Sequence, residues 1–291
     1  MNAFFIPYFY SCNRPVLFDK NQIANSSEII AEEEVETLDI YQVNASKITY
    51  TVDSLKISGY IVRPKIINQA LPVIIYNRGG NRDFGKISAY QFSNLCYLAE
   101  HGYVVLASQY RGNTLSEGKD ELGGDDLNDV LALIDIAEQL PYANEDKIGV
   151  LGYSRGGLMA YLASKATDKI DAIVVVGAPT DLFLSIKNRP NMYTHVMLPL
   201  IGDTLNRKDE YIKRSPIHWS DHINEPTLIL HGTKDERVNV LHAKRMIAQM
   251  EKNHQTIQYK LFEDGNHSLT NIDETEVDNY IFDWFKLHLS N

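Results

Sequence analysis

Ser154 lies at the centre of a Gly-x-Ser-x-Gly pattern in residues 152–157. An apolar run at 148–151 precedes the pattern, and residues 158–163 after it have the composition of a helix. A serine between two glycines, where a strand turns into a helix, is typical of a nucleophile elbow, whose strained backbone exposes the hydroxyl. A Cβ on either glycine would collide with the neighbouring strand or helix. The pattern therefore predicts that Ser154 is a nucleophile.

This nucleophile requires a base, because a serine hydroxyl reacts poorly at neutral pH. His267 follows the predicted strand 257–262 on a loop that leads into the last helix. The chain has nine histidines; the others lie beside helices, in a segment without strands or, for His231, ahead of every candidate acid. That position contradicts the chain order of serine, acid and histidine in elbow-containing folds. We therefore predict that His267 is the base.

A carboxylate that accepts the imidazole N–H would complete the set, because it fixes the tautomer and stabilises the imidazolium. Asp235 follows the predicted strand 227–230 and lies between the serine and the histidine in the sequence. Its neighbour Glu236 is the alternative, whereas Asp264 is too near the histidine along the chain to orient it. We predict Asp235 as the base-orienting acid.

An acyl-transfer site also needs two preorganised N–H donors for the oxyanion. The residue after the nucleophile, Arg155, supplies one through its backbone. The second donor is expected on a loop after an early strand, and residues 73–76 are followed by Gly79 and Gly80, whose backbone can approach a ligand closely. We predict Gly80 as this donor, with Gly79 next and an ordinary turn as the alternative.

The rest of the sequence predicts an α/β fold. Residues 47–52 and 55–62 alternate in polarity like a hairpin with its turn at Asp53 and Ser54. Beyond Pro72, short apolar runs alternate with helical patterns, which favours a mostly parallel sheet covered on both faces, with the hairpin as its antiparallel edge. The predicted strands are 73–76, 103–107, 148–151, 172–176, 227–230 and 257–262. The predicted helices are 90–100, 126–139, 157–165, 240–250 and 274–289.

Domain organisation follows from the same patterns. We expect an N-terminal extension at 1–45 and a single domain at 46–291 with a helical insertion at 180–222. The insertion comes between two strands at their carboxyl edge, so it either roofs the site or packs as ordinary helices.

The composition excludes several classes of function. A chain of 291 residues, 44% hydrophobic, can bury one large core. Its net charge of −10 leaves no basic stripe, so we expect no nucleic-acid partner. Cys12 and Cys96 cannot build a disulfide framework, and no run reaches the length of a membrane span. The apolar start at 1–10 is brief and contains Pro7, so we expect a cytoplasmic protein, with export as the alternative.

Six motifs follow one another along the chain: Tyr-Arg-Gly at 110–112, Asp-Leu-Asn-Asp-Val at 126–130, the elbow at 152–157, Arg-Ser-Pro-Ile-His at 214–218, residues 231–238 and Gly-Asn-His at 265–267. Together they resemble the catalytic domain of the prolyl oligopeptidase family of α/β-hydrolases, particularly its acylaminoacyl-peptidase and dipeptidyl-peptidase branch. The resemblance implies a triad of Ser154, Asp235 and His267 that acts through an acyl-enzyme, with oxyanion donors at Gly80 and Arg155.

The chain departs from this family in two ways. Arg-Gly-Gly-Asn at 78–81 replaces the common His-Gly-Gly-Pro, and only 72 residues precede Val73, too few for the β-propeller of the peptidases. We expect substrate size to be limited by the insertion, by a homo-oligomer or by nothing, which favours an esterase over a strict peptidase.

The side chains of Arg111 and Arg155 are expected to pair with carboxylates such as Asp126 or Asp129 and brace loops near the site. His218 and His222 have helical ligand spacing but no matching third ligand, so no metal is expected. The sequence thus predicts a cofactor-independent serine hydrolase for small esters or short peptides. The alternatives are a peptidase, an acyltransferase and a catalytically silent binding protein.

Overall fold

A nine-stranded mixed sheet forms the centre of the computed structural model, which describes residues 27–290. Its strand order is β1-β2-β3-β5-β4-β6-β7-β8-β9. Strands β4 to β9 are mutually parallel and β1 to β3 are antiparallel, as expected for an α/β fold. The strands are β1 (Ile29–Val35), β2 (Val43–Val52), β3 (Leu55–Pro64), β4 (Leu71–Asn77), β5 (Val104–Ser108), β6 (Ala143–Tyr153), β7 (Ala172–Val176), β8 (Thr227–Gly232) and β9 (Ile257–Phe262).

The predicted hairpin is present, but it is not the edge of the sheet. Asp53 and Ser54 form its two-residue turn with φ of 50° and 67°, the left-handed geometry that matches strand twist. Strand β1 pairs with the outer side of β2, so the expected edge position is wrong by one strand. The run Ile-Ile-Ala-Glu-Glu-Glu-Val in β1 has no polarity alternation, which explains why the sequence did not predict it. The apolar residues 1–10 lie outside the described residues.

Helices cover both faces of the sheet, as predicted. One hydrophobic layer joins the sheet to α1 and α9 and contains Leu95 and Phe285. The opposite layer joins it to α2, α3 and α8 and contains Leu158 and Met246. Within residues 27–290, no helix has both the length and the apolar composition needed to cross a bilayer. These five helices are α1 (Ala89–Glu100), α2 (Asn128–Ala137), α3 (Arg155–Ala166), α8 (Leu241–Lys252) and α9 (Glu274–Leu289).

The segment between β7 and β8 is a series of short helices. It contributes Met197, Ile201 and Tyr211 to the core, so part of it packs as an integral layer of the fold. Its elements are α4 (Leu182–Asn188), α5 (Pro190–Met192), a π-helical turn (Tyr193–Met197), α6 (Leu198–Ile201), α7 (Lys208–Lys213) and two 3₁₀ turns (Pro216–His218 and Ser220–His222).

The strand order reverses at β4, which has β5 on one side and β6 on the other. Such a reversal opens a crevice at the carboxyl ends of the two strands, where ligands of α/β sheets bind. Asn77 at the end of β4 is the register partner of Gly152 in β6. The loops after these strands, which carry Gly80 and Ser154, therefore adjoin at this crevice.

The packing of α9 against β6 gives a test of the core. Phe285 is fully buried, and a Cβ on Gly149 of β6 would lie 2.6 Å from its ring. We expect Phe285→Ala to lower the free energy of unfolding by about 3–5 kcal/mol, because it removes buried area and leaves a cavity. Leu287→Ala on the same helix, where Leu287 is 70% exposed, should change it by less than about 0.5 kcal/mol. Urea titrations giving equal losses would contradict this packing.

Candidate active site

Ser154 occupies a strained turn between β6 and α3. Its φ of 53° and ψ of −120° are rarely adopted by a residue with a side chain, and such strain costs on the order of 1–3 kcal/mol. The N–H of Ser154 donates to the carbonyl of Val176 at 2.8 Å. A Cβ on Gly152 would lie 2.2 Å from the Gly156 carbonyl oxygen, and one on Gly156 would lie 1.9 Å from that of Asn77. The predicted collisions at both glycines are confirmed.

Asp235 and His267 form a hydrogen-bonded pair on the loops after β8 and β9. The imidazole Nδ1 of His267 lies 2.8 Å from Oδ2 of Asp235. The other carboxylate oxygen, Oδ1, accepts the N–H groups of Arg237 and Val238, each at 2.8 Å. Burial alone would raise the pKa of Asp235, but hydrogen bonds from His231, His267 and Val238 outweigh it and hold the pKa well below its usual range.

The rival acid Glu236 is exposed, and within residues 27–290 the charged group beside its carboxylate is Arg237, at 4.0 Å. Asp264 pairs instead with Lys234, at 2.6 Å between exposed side chains. Of the three acids considered from the sequence, the structure brings Asp235 to the histidine.

Ser154 and His267 line one cavity of about 1040 Å³. Among the described residues the serine hydroxyl makes no hydrogen bond with the imidazole; such contacts are often loose in unliganded enzymes and tighten with substrate. Leu182, Met192 and Met197 from the segment between β7 and β8 supply apolar wall to the same cavity. The segment therefore borders the site as well as packing on the core.

The loop after β4 passes close to the serine. Gly80 has a φ of 76°, and a Cβ there would lie 2.0 Å from the Phe84 carbonyl oxygen, so a side chain does not fit. Within residues 27–290 the Gly80 N–H has no acceptor. A Cβ on Gly79 would lie 3.3 Å from Cβ of Ser154, which shows how closely the loop approaches. Arg155 opens α3, where first-turn N–H groups lack intrahelical partners.

The side chain of Arg155 is buried between two carboxylates. It forms ion pairs with Asp126 and, at 2.6 Å, with Asp120, and it donates to the carbonyl of Gly80 at 3.1 Å. Burial favours the neutral guanidine, but Asp126 and Asp120 outweigh it and raise the pKa of Arg155 above its ordinary value. The expected pairing with Asp126 is confirmed. Asp120 was missed, because it lies in a polar loop without a recognisable pattern.

Arg111 braces a neighbouring loop in the same way. Its guanidinium lies 2.8 Å from Asp129 and 2.8 Å from Asp53 in the hairpin turn. The expected pairing of Arg111 with a carboxylate of the 126–130 motif is thus confirmed. The guanidinium of Arg111 has a structural role, because it joins this motif to the hairpin turn.

Arg78 is a second buried arginine, and the sequence marked it only as a departure from the family pattern. It is 1% exposed, and each of its acceptors is a backbone carbonyl. Burial and the nearby Arg155 lower its pKa to about 10. The ring of Tyr110 lies 4.8 Å from this guanidinium and 4.9 Å from that of Arg155. The accepting carbonyls belong to Gly79, Arg82, Phe84 and Gln109.

The histidines of the segment between β7 and β8 do not form part of this arrangement. His218 packs against the ring of Phe183, with centroids 6.5 Å apart, and His222 is exposed. Across residues 27–290, no group of three or more His, Cys, Asp or Glu side chains is arranged to hold a metal ion.

The chain is similar in sequence to several known proteins. The chain is 26% identical over 241 residues to a protein named uncharacterized peptidase YtmA from Bacillus subtilis, covering 82% of this chain and 92% of that protein. It spans 38% or less of several longer relatives.

Solved structures show the same fold at low identity. A Pyrococcus horikoshii acylaminoacyl peptidase matches with a TM-score of 0.75 and 19% identity, over 85% of this chain and 42% of that one. An acetyl xylan esterase from Paenibacillus sp. R4 matches with a TM-score of 0.72 and 15% identity, over 93% of this chain and 91% of that one. The model of the prolyl oligopeptidase family matches residues 89–291. The chain therefore belongs to the prolyl oligopeptidase family of serine hydrolases.

Proposed function

We propose that this chain hydrolyses small carboxylic esters or short acyl-amide and peptide bonds, with Ser154 as nucleophile, His267 as base and Asp235 as the orienting acid. The observation that supports the proposal most directly is the 2.8 Å contact between His267 and Asp235 at the cavity that Ser154 lines. A strained serine, a base and an acid that holds the base have no shared purpose in a protein that only binds.

Acylation begins when Oγ of Ser154 attacks the substrate carbonyl carbon and its proton passes to Nε2 of His267. Asp235 accepts the Nδ1–H and stabilises the imidazolium. The carbonyl oxygen becomes an oxyanion and accepts the N–H groups of Gly80 and Arg155. The tetrahedral intermediate collapses as His267 returns the proton to the leaving alcohol or amine, which leaves an acyl-enzyme.

Deacylation repeats these steps with water. His267 removes a proton from the water, whose oxygen attacks the ester carbon of the acyl-enzyme. The same N–H groups stabilise the second oxyanion, and Ser154 regains its proton as the acid product leaves. Acyl transfer to an alcohol or amine would follow the same route with a different acceptor.

The esterase activity is our first choice, and the peptidase is second. The Paenibacillus protein, named an acetyl xylan esterase, and YtmA, named an uncharacterized peptidase, both match this chain over most of both lengths, so the names support either activity. Leu182, Met192 and Met197 give the cavity an apolar wall that suits a hydrophobic acyl or leaving group. We also propose a cytoplasmic location, which is consistent with the free, buried thiol of Cys96.

Covalent labelling tests the nucleophile. A fluorophosphonate probe should modify Ser154, and labelling should disappear in Ser154→Ala and fall strongly in His267→Ala. Turnover of p-nitrophenyl esters should fall by about 10⁶-fold in Ser154→Ala. Absence of labelling and turnover in the wild-type protein would favour the silent binder. Esters cleaved while aminoacyl and N-acyl-aminoacyl anilides remain intact would exclude the peptidase.

The two neighbouring acids allow a matched test of the orienting group. We expect Asp235→Asn to lower kcat by about 10⁴-fold, because an amide favours the wrong imidazole tautomer. Glu236→Gln should leave kcat within about twofold, since Glu236 is exposed and its carboxylate lies beside Arg237. Equal losses of kcat for ester hydrolysis in Asp235→Asn and Glu236→Gln would contradict the proposal that Asp235 orients His267.

Replacement of Arg78 tests the support of the loop at residues 78–85, which carries the proposed donor Gly80 and is called the oxyanion loop below. Lysine has three donors on a flexible stem and cannot reproduce the planar fork. We expect Arg78→Lys to lower kcat by roughly 10–10²-fold with a smaller change in KM. This loss is smaller than the ~10²–10³-fold loss for a missing oxyanion donor, because the donor would be displaced and not removed. Arg82→Lys, at an exposed side chain of the same loop, serves as control and should retain kcat within about twofold. A wild-type kcat in Arg78→Lys would contradict the role.

A further inference from the structure

A second histidine contacts the carboxylate of Asp235. His231, at the end of β8, is 1% exposed. Its Nε2 lies 2.8 Å from the Val238 carbonyl oxygen and 3.2 Å from Oδ2 of Asp235. The same Oδ2 contacts Nδ1 of His267 at 2.8 Å. One carboxylate oxygen therefore faces two imidazoles.

The partners of His231 fix its tautomer. A backbone carbonyl can only accept a hydrogen bond, so Nε2 of His231 must carry the hydrogen that reaches Val238. An ionised carboxylate also only accepts, so the N–H that His231 donates to Val238 is also the group that faces Asp235, with Nε2 3.2 Å from Oδ2. His231 acts on Asp235 as a donor through Nε2.

Asp235 consequently has a complete set of donors. Oδ1 accepts two backbone N–H groups, and Oδ2 accepts the N–H of His267 and lies 3.2 Å from Nε2 of His231. Two donors on one oxygen compete for its negative charge, so each weakens the other. The charge that Asp235 offers to His267 then depends on whether His231 is present.

We propose that His231 is a positioning residue, whose Nε2–H holds the Asp235 carboxylate in place and limits how strongly that carboxylate stabilises the His267 imidazolium. The inference rests on the proposed function. His231 does not line the cavity that contains Ser154, so its effect on catalysis passes through Asp235.

The other charged groups near Asp235 do not account for a change in the His267 titration near neutral pH when His231 is replaced. His242 on α8 lies beside His231 and Asp235, and burial lowers its pKa to about 4, so it is neutral there. Asp181 and Arg245 form an ion pair at 2.7 Å. The remaining charged groups on the two loops are exposed side chains: Lys234, Glu236, Arg237, Glu263 and Asp264.

The test compares His231→Leu, which removes the donor, with His231→Gln, whose Nε2–H can take the position of the imidazole N–H. In ¹³C-histidine-labelled protein, the His267 ring signal is assigned through its loss in His267→Gln and followed as a function of pH. We expect its titration midpoint to move upward by roughly 0.5–1 pH unit in the leucine variant and to stay near the wild-type value in the glutamine variant. The proton resonance of the His267 Nδ1–H should move downfield in His231→Leu and stay at its wild-type position in His231→Gln.

The acid limb of kcat/KM should shift by the same amount and in the same direction. His222→Gln, which removes an exposed histidine, is the control and should not move the midpoint. Should the leucine variant not fold, His231→Asn provides the contrast, because its donor lies at the Nδ1 position and misses Oδ2. An unchanged His267 titration midpoint in His231→Leu would overturn the proposal. An equal shift of that midpoint in His231→Leu and His231→Gln would overturn it as well. A shifted midpoint without labelling of Ser154 would instead reject the proposed function and leave the role of His231 standing.

Discussion

The ion pairs of Arg155 with Asp120 and Asp126 connect the helix that follows Ser154 to the loop between β5 and α2. Three ionised groups in the interior are tolerated only when their charges are paired, and the loss of one partner typically costs about 3–5 kcal/mol. Arg155 begins the helix of the elbow, Asp126 precedes α2, and Asp120 lies on the loop after β5. Because each charge needs the others, the segments cannot move apart independently.

The same network reaches the oxyanion loop from two sides. Arg155 holds the carbonyl of Gly80, and Asp120 accepts the N–H of Arg82 at 2.6 Å. Arg78 binds carbonyls at several points of this loop, and the hydroxyl of Tyr110 donates to the carbonyl of Arg78 at 3.1 Å. With its carbonyls held in this way, the loop is fixed beside the cavity, as the proposed role of Gly80 as an oxyanion donor requires.

The sequence predicted those features that depend on local pattern and chain order. Buried parallel strands read as short apolar runs, and the bounds of β7, β9 and α9 agree with the structure at both ends. The pairing of Asp235 with His267 could be predicted because the fold places the ends of β8 and β9 side by side.

Other features depend on contacts between distant segments, which no local pattern encodes. Asp120 pairs with Arg155 because the loop after β5 folds back onto the start of α3. Arg78 is held by backbone carbonyls of its own loop and by the carbonyl of Gln109. His231 was set aside as a base for its place in the chain order, which says nothing about the carboxylate that it contacts. Strand β1 has an exposed, acidic face and pairs through its backbone, so it has no polarity signal.

We propose that the elbow and the oxyanion loop are held so that the N–H groups of Gly80 and Arg155 converge beside Ser154. A crystal structure of the protein after reaction with a fluorophosphonate would measure this directly, because the phosphoryl oxygen occupies the oxyanion position. We predict a covalent bond to Oγ of Ser154, with that oxygen about 2.7–3.1 Å from both backbone nitrogens. An adduct on another residue, or a phosphoryl oxygen turned away from Gly80, would contradict this arrangement of donors.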